Sequence, residues 1–310
     1  GAHGRIYPRE ALNHAREGSY PLQYLYFGLG DETEAHRCLI DALLSSYRPS
    51  PLVVDIALNR PNIYENRERK HLHKLSDTRP SAPLDGSIRK VTYYSPDFVL
   101  GCVQYQDPYL EDGTGDHYYA HHQQHQWDLT FATRTDARLF THHPGDFNEH
   151  NYWTGDLGCG CGYFFQCATA VLALYDIPDT QPMPYIHACV PAEAFDELVE
   201  EGNTLFVRAG RACAALSLLN GYTWTRDGEW AHREVISHGL RHAVVCEAGM
   251  LETFGSFADF RAEIRANAIH FDADTMALTY ISHRAGTVTL DTRGRREVNG
   301  LPAHLDYATY

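Results

Sequence analysis

Long apolar runs are missing from this sequence of 310 residues. Without about eighteen consecutive apolar residues, no membrane-spanning helix is predicted, and no basic-then-apolar start indicates a signal peptide. Clusters of Lys and Arg are also missing, and the formal net charge is -14. Proteins bind a nucleic-acid backbone or an anionic membrane surface through clustered basic residues, so the sequence predicts neither as a partner.

Several common catalytic motifs are missing as well. The patterns GxSxG, HExxH, GxxxxGKS/T and GxGxxG do not occur, which argues against the commonest hydrolases, zinc proteases and nucleotide-binding proteins. The segment GDLGCGCGYFF contains Cys159 and Cys161 but lacks the second CxC or CxxC that a structural zinc or an iron–sulfur cluster needs. It is interpreted as a glycine-rich turn that leads into a buried strand.

The eight cysteines do not form a disulfide framework in the sequence. Most of them lie within apolar runs, such as GCVQY, QCATAVLAL and VVCEAG, where a free thiol behaves as a small buried hydrophobic group. This usage favours a reducing compartment and, together with the missing signal peptide, a cytoplasmic location. The opening GAHGRIYPRE is typical of a cut or processed end, so we expect an upstream portion.

The first part of the chain, residues 1–65, has helical periodicity. The segment DETEAHRCLIDALLSSY begins with Asp31 as a predicted N-cap, and SPLVVDIALNRP begins with Ser50 as a predicted N-cap and has Pro61 beyond its end. Both segments place apolar residues on one face, which predicts an antiparallel helix pair. The following residues, 66–88, are polar, charged and interrupted by prolines, which predicts a linker.

From residue 89 to residue 310 the pattern changes to short extended runs. Segments such as KVTYYSPDFVLGCVQYQ, HQWDLTFAT and GYFFQCATAVLALYD are β-branched or aromatic and are separated by turn residues. Strands at this spacing predict a mainly β fold, a large antiparallel β-sandwich preceded by a short helical segment. A hairpin is predicted to turn at residues 209–211, and one helix is predicted near 256–267, with Ser256 as its cap.

The segment HYYAHHQQHQW places four histidines within nine positions. If a strand begins there, alternation puts His121, His125 and Trp127 on one face. A second group follows in RLFTHHPGDFNEHNYWTGD, and pairing of the two strands would bring His125 close to His143 and to the carboxylate of Asp146. These three side chains are the predicted ligands of a divalent metal, either zinc, manganese or calcium. The alternative is that the histidines are solvated loop residues.

A third group of polar residues lies in WAHREVISHGLRHAVV. Side chains alternate between the two faces of a strand, so Arg233 and Glu234 are predicted on opposite faces. An arginine on a sheet face can bind both oxygens of a carboxylate. Protection of an edge strand by charge is the alternative. His187 lies in the apolar segment PMPYIHACVP, where it is either a substrate-binding residue, as Glu234 would be, or a satisfied core histidine. Trp127 and Trp153 are predicted to stack on sugar rings, although aromatic residues also form ordinary sheet cores.

The order of these segments carries a family resemblance. The phrases YYSPDFVLGCVQ, HQW, THHPG, HNYWTGD, LYDIP and FVRAGRACAALSL follow a helical segment and a linker. This arrangement resembles the C-terminal part of polysaccharide lyases in which an α/α-toroid precedes a large antiparallel β-sandwich, of the heparinase II/III-like or alginate-lyase-like type. The resemblance implies a supersandwich-like fold, a polysaccharide or oligosaccharide as ligand, and either an upstream toroid domain or a homo-oligomer as partner.

The resemblance also implies a reaction, β-elimination on a uronate-containing glycan. Its requirements are a base for the C5 proton, an acid for the leaving O4 and a group that neutralises the adjacent carboxylate. The residues expected in these roles are His125 and His143 as base or metal ligand, Asn151 and Arg233 as neutralisers, and Tyr152 as proton donor. Two alternatives stay open: a glycoside hydrolase of similar architecture, and a non-catalytic sandwich that binds carbohydrate or has a structural role.

Overall fold

The computed structural model describes residues 50–59, 61–71, 87–106, 127–134, 136–144, 152 and 161–305. The helix predicted at the Asp31 cap lies outside these residues, as does the histidine-rich segment 117–126. The helix α1 (Pro51–Asn59) confirms the prediction of a helix that starts after Ser50. Among the described residues, no helix is long and apolar enough to cross a membrane.

The rest of the described chain is built mainly from strands. In chain order they are β1 (Tyr64–His71), β2 (Ser87–Tyr94), β3 (Phe98–Gln106), β4 (Trp127–Phe131), β5 (Arg138–His142), β6 (Gly162–Cys167), β7 (Ala170–Asp176), β8 (Tyr185–Cys189), β9 (Glu197–Glu201), β10 (Thr204–Ala209), β11 (Ala212–Leu218), β12 (Thr223–Trp224), β13 (Glu234–His238), β14 (Arg241–Met250), β15 (Ala268–Asp272), β16 (Ala277–Ser282), β17 (Gly286–Asp291), β18 (Arg296–Val298) and β19 (Leu301–Pro302). The helices α2 (Leu251–Phe254) and α3 (Phe257–Ala266) lie between β14 and β15, and a 3-10 turn (Ala192–Ala194) precedes β9.

These strands form three antiparallel sheets, which confirms the predicted mainly β fold. The eight-stranded sheet has the order β1-β2-β3-β4-β5-β8-β13-β12, and the six-stranded sheet has the order β6-β7-β14-β11-β10-β9. The five-stranded sheet runs β15-β16-β17-β18-β19. The hairpin predicted at residues 209–211 is confirmed, because Ala209 pairs with Ala212.

The six-stranded sheet is the central layer of the sandwich. Along β7, Val171, Ala173 and Tyr175 pack into the core shared with the eight-stranded sheet. The intervening Leu172 and Leu174 pack into a second core, shared with the five-stranded sheet. Because both of its faces are covered, β7 is a nearly continuous apolar run rather than an alternating one.

The second face of the central sheet is covered in part by α3. The Ser256 side chain accepts a hydrogen bond from the Asp259 N–H, which caps this helix at its N-terminus as predicted. Phe257 and Phe260 are buried against Phe206 of β10 in a third apolar cluster. The helix therefore replaces the five-stranded sheet over the part of the central sheet formed by β10 and β11.

The segment predicted as a linker, 66–88, is partly strand. Residues 66–71 belong to β1 and residues 87–88 to β2, and the two strands pair from Tyr64↔Tyr94 to His71↔Ser87. β1 lies at the edge of its sheet, where charged residues are usual, so its sequence YENRERKH has no apolar alternation that would reveal a strand.

Of the eight cysteines in the sequence, the six described ones are free thiols. Five of them are buried, and Cys167 is partly buried. This agrees with the prediction that the cysteines act as small buried hydrophobic groups.

Candidate functional site

The candidate site lies on the face of the eight-stranded sheet that points away from the central sheet, called here the outer face. The pairing of β5, β8 and β13 places His142 opposite His187, and His187 opposite Ile236. Residues two apart on a strand share a face, so Glu234 lies on the outer face as well. The intervening Ala188 and Val235 point into the core.

Glu234 is the centre of a hydrogen-bond network on this face. Its Oε1 accepts a bond from the Tyr152 hydroxyl at 2.8 Å and lies 2.8 Å from Nδ1 of His187. Its Oε2 accepts a bond from the Thr225 hydroxyl at 2.6 Å. Glu234 is 2% exposed and His187 is fully buried, so these bonds form in a water-poor environment where they are strong.

The network fixes the protonation of its members. Burial opposes ionisation of Glu234, but the bonds from His187, Thr225 and Tyr152 outweigh it and hold its pKa below the usual range. Burial lowers the pKa of His187 despite the neighbouring carboxylate, so the imidazole is neutral at neutral pH. Burial, a hydrogen bond with Tyr185 and the charge of Glu234 raise the pKa of Tyr152, which keeps its hydroxyl protonated.

These protonation states have a chemical consequence. An ionised Glu234 is only an acceptor, so the hydrogen in the bond to His187 belongs to Nδ1, and the lone pair of the neutral ring is at Nε2. A carboxylate that orients an imidazole in this way raises its basicity at the other nitrogen. The Tyr152 hydroxyl is the complementary group, a proton donor. The outer face therefore combines one acid and one base around a single carboxylate.

Other side chains complete the surroundings of this network. The Tyr152 ring meets the His187 ring edge to face, with centroids 4.5 Å apart, and the His142 ring centroid lies 6.0 Å from that of His187. An apolar cluster of Phe140 and Cys189, with Tyr152 and Trp230 packed against it, adjoins these rings.

Some members of the network could not be selected from the sequence. Tyr185 and His142 share the outer face with His187, yet only the alternation of YIHAC and the strand register place them there. Thr225 carries no sequence signal, because it follows the two-residue strand β12. The pairing of β12 with β13 is what brings its hydroxyl to Glu234.

Three of the residues predicted from the sequence, Tyr152, His187 and Glu234, come together in this network. Four others lie outside the described residues, and these are His125, Asp146, Asn151 and Trp153. The remaining three, His143, Arg233 and Trp127, have other surroundings.

His143 and Arg233 both form contacts with residues other than Glu234. His143 is buried, and its Nε2 lies 3.0 Å from the carbonyl oxygen of Met183, to which it donates. A nitrogen that donates a hydrogen cannot bind a metal, so only Nδ1 of His143 is suited to that role. Arg233 is exposed, and its guanidinium binds the carboxylate of Glu193 at 2.6 Å. This ion pair holds its charge at the surface, next to β13, which lies between β8 and β12 and is therefore not the charge-protected edge strand of the alternative.

Trp127 is a core residue, and this corrects the prediction that it stacks on a sugar ring. Its side chain is 1% exposed and belongs to the core between the eight-stranded and central sheets. Its indole N–H donates to the hydroxyl of Thr141 at 2.8 Å, and Thr141 in turn meets the Tyr175 hydroxyl at 2.8 Å. The ring has no face available to a ligand because the packing of two sheets covers it.

Within the described ranges, no group of three or more His, Cys, Asp and Glu side chains is arranged to hold a metal ion. Two of the three predicted ligands, His125 and Asp146, lie outside those ranges. In comparisons with known proteins, no family model and no curated protein sequence matches the chain.

Proposed function

We propose that the protein is a carbohydrate-active enzyme of the polysaccharide lyase type, which cleaves a uronate-containing glycan by β-elimination. The observation that carries the proposal is the buried Glu234, which binds a protonated tyrosine and a neutral histidine on one sheet face. β-Elimination needs one group that accepts a proton and one that donates it, within the length of a single sugar residue. The resemblance of the sequence to toroid-associated lyases supports the same reaction.

In this mechanism each side chain has one role. Because His187 is fully buried, the substrate must first open the outer face above it. His187 then takes the C5 proton of the uronate, and the C5–H electron pair forms the double bond between C4 and C5. The C4–O4 bond breaks, and the Tyr152 hydroxyl donates a proton to the departing O4. Glu234 keeps the imidazole oriented and stabilises the positive charge that His187 gains. The proton count balances, because one proton is taken up and one is released.

The predicted divalent metal is part of the same proposal. His143 would bind it together with His125 and Asp146. When bound, such an ion would neutralise the substrate carboxylate and acidify the C5 proton. Elemental analysis of the purified protein and of His143→Ala tests this assignment, and we expect a stoichiometric metal only in the unmodified chain.

A second candidate function is glycan binding without turnover. A groove of about 610 Å³ lies beside the edge strands β9 and β12 and is lined by Tyr222 and Trp224 together with Glu200 and Arg226. The Tyr222 hydroxyl donates to the Glu200 carboxylate at 2.9 Å. Aromatic rings with polar neighbours suit the stacking of sugar rings.

The decisive experiment follows product formation on a panel of uronate polysaccharides. The ultraviolet absorbance of the C4–C5 unsaturated sugar reports elimination, and a reducing-end assay reports any cleavage. We expect Tyr152→Phe and His187→Gln to lower the elimination rate by about 10²–10⁴-fold, the usual contribution of an acid or base group. Tyr280→Phe is the matched control, since it also removes a tyrosine hydroxyl bound to a glutamate, on the other side of the central sheet, and its rate should be unchanged.

The other outcomes identify the alternatives. New reducing ends without the unsaturated product would indicate a hydrolase. Binding of a glycan without any product on the whole panel would support the second candidate. An unchanged elimination rate in Tyr152→Phe would reject the roles assigned to this network.

A further inference from the structure

A cavity of about 290 Å³ lies on the second face of the central sheet, where α3 and the five-stranded sheet meet. Its floor consists of two rows of side chains that pair across β10, β11 and β14. These rows are Thr204, Ser217 and Val245, and Phe206, Ala215 and Glu247. Ala215 and Ser217 are small, so they leave open space in an interior that is otherwise close-packed. The volume is near the lower limit of small-molecule sites, which is roughly 300 Å³.

The cavity is accessible and has both apolar and polar walls. The exposed side chain of Arg265 lines it together with the half-buried Thr204 and Asn267, so the cavity is open to solvent. Ile264 of α3 and Ile269 of β15 form apolar walls. A ligand with an apolar middle and polar ends therefore suits it.

Glu247 is a buried acidic residue in the floor of this cavity, and it is 1% exposed. Its carboxylate accepts hydrogen bonds from the hydroxyls of Tyr280 and Ser282. Tyr280 in turn accepts a bond from the Asn267 amide at 2.8 Å, and the Ser282 oxygen accepts bonds from two backbone N–H groups. Both hydroxyl hydrogens are therefore directed at Glu247, which is the arrangement that suits an ionised carboxylate.

The surroundings of Glu247 do not supply a counter-charge. In the part of the chain that the structure describes, no Lys, Arg or His nitrogen forms an ion pair with it. Arg284 attracts Glu247, but its guanidinium is bound to both carboxylate oxygens of Glu263. Arg265 is bound to Glu201. A protonated Glu247 would be no better satisfied, because its hydrogen would face two hydroxyls that already donate to it.

The missing positive charge is that of an organic cation. Within the described ranges, no group of three or more His, Cys, Asp and Glu side chains could hold a metal ion, so a metal does not suit this cavity. An ammonium group supplies a charge and up to three N–H donors, and an ionised carboxylate has acceptor sites beyond the two that the hydroxyls use. The formal net charge of -14 favours the approach of a cation over that of an anion.

We propose that this cavity binds a small amino alcohol, whose ammonium group pairs with Glu247 and whose hydroxyl contacts Thr204 and Ser217. The Thr204 and Ser217 hydroxyls lie 2.8 Å apart, so one of their two hydrogens remains available to a ligand, as do oxygen lone pairs. Ser217 lies diagonally across from Glu247 on the neighbouring strand, a separation of roughly 7–8 Å that a short aliphatic chain spans.

This site is independent of the proposed elimination reaction. It lies on the opposite side of the central sheet from the outer face that carries Glu234. Occupation of the cavity should therefore leave the elimination rate unchanged, and the two assignments can fail separately.

The test measures binding to the full chain by ligand-observed NMR at constant ionic strength. The probe is 4-aminobutan-1-ol, and each of three related compounds changes one feature. Butane-1,4-diol lacks the charge, butylamine lacks the hydroxyl, and sodium 4-hydroxybutanoate carries the opposite charge. We expect the amino alcohol to bind most tightly and butylamine about fivefold more weakly, because one hydrogen bond is lost. The diol and the anion should bind at least about tenfold more weakly, because the ion pair is lost.

Variants locate the binding site. Glu247→Gln keeps the shape of the side chain and removes its charge, so it should bind the amino alcohol about tenfold more weakly or worse. Glu252→Gln is the control, because it removes the same charge from an exposed residue of α2 outside the cavity, and its affinity should be unchanged. In the double variant Thr204→Val with Ser217→Ala, the amino alcohol and butylamine should bind equally well.

Thermal melting provides a readout on the unmodified protein that does not depend on the folding of any variant. The amino alcohol should raise the melting temperature of the unmodified chain more than the diol does at equal concentration. Equal effects of the two compounds, or binding of none of the four, would overturn the inference. Equal affinity of Glu247→Gln and the unmodified chain would do the same. Equal affinity of the unmodified chain for the amino alcohol and butylamine would overturn the role of the two hydroxyls.

Discussion

The hydrogen bond between Trp127 and Thr141 offers a direct test of the core described above. In Thr141→Val the Trp127 N–H loses its acceptor inside the sandwich, at a site where no water can replace it. Leaving a buried donor unsatisfied costs about 1–3 kcal/mol, and the added methyl group returns up to about 0.8 kcal/mol. We therefore expect Thr141→Val to reduce the free energy of unfolding by about 1–2 kcal/mol.

A double-mutant cycle with Trp127→Phe isolates the bond itself. In Trp127→Phe the donor is already gone, so adding Thr141→Val should cost less by about 1 kcal/mol, and the two changes should not be additive. Urea unfolding followed by circular dichroism provides the four free energies. Thr223→Val on the exposed strand β12 is the control, and its effect should stay within about 0.5 kcal/mol.

One result would support the original prediction that Trp127 stacks on a sugar ring. If Trp127→Phe weakened glycan binding and left the free energy of unfolding unchanged, the ring would face a ligand and not the core. Full additivity in the cycle would show that the indole N–H and the Thr141 hydroxyl do not interact.

Two further predictions concern backbone strain and pH. Gly210→Ala should destabilise the protein more than Gly202→Ala. Both glycines have a positive φ, but only at Gly210 would the new Cβ clash with the side chain of Thr133. Thermal melting compares the two variants, and equal losses of stability would contradict the clash. Burial raises the pKa of Glu247 in the folded state, so stability should fall as pH rises through the interval above the unfolded pKa of about 4.5. Glu247→Gln should flatten this part of the melting-temperature profile, and an unchanged profile would assign the pH dependence to another group.

The sequence predicted the class of fold well and its layering less well. Alternating and β-branched runs indicated the sandwich, and the Ser256 cap marked α3 because both depend on local chemistry. The three layers were not predictable. A strand such as β7, buried on both faces, has no period that identifies which sheet covers which face.

Three members of the candidate site could be predicted from the sequence, and its geometry could not. Tyr152, His187 and Glu234 were each selected from the sequence, but His187 and Glu234 are 47 residues apart, and only the register of β8 and β13 joins them. Trp127 was assigned to the surface because an aromatic residue in a strand has the same pattern on either face.

The position of β14 determines how much of the chain must exist before the sandwich can close. β14 fills the gap between β7 and β11, and its pairing partners were made many residues earlier. During synthesis, β7 therefore has one unpaired edge until residues 241–247 of β14, which pair with it, have left the ribosome. Any fragment that ends before Arg241 lacks β14 and leaves that edge unpaired, so such truncated chains should aggregate rather than persist as smaller folded units.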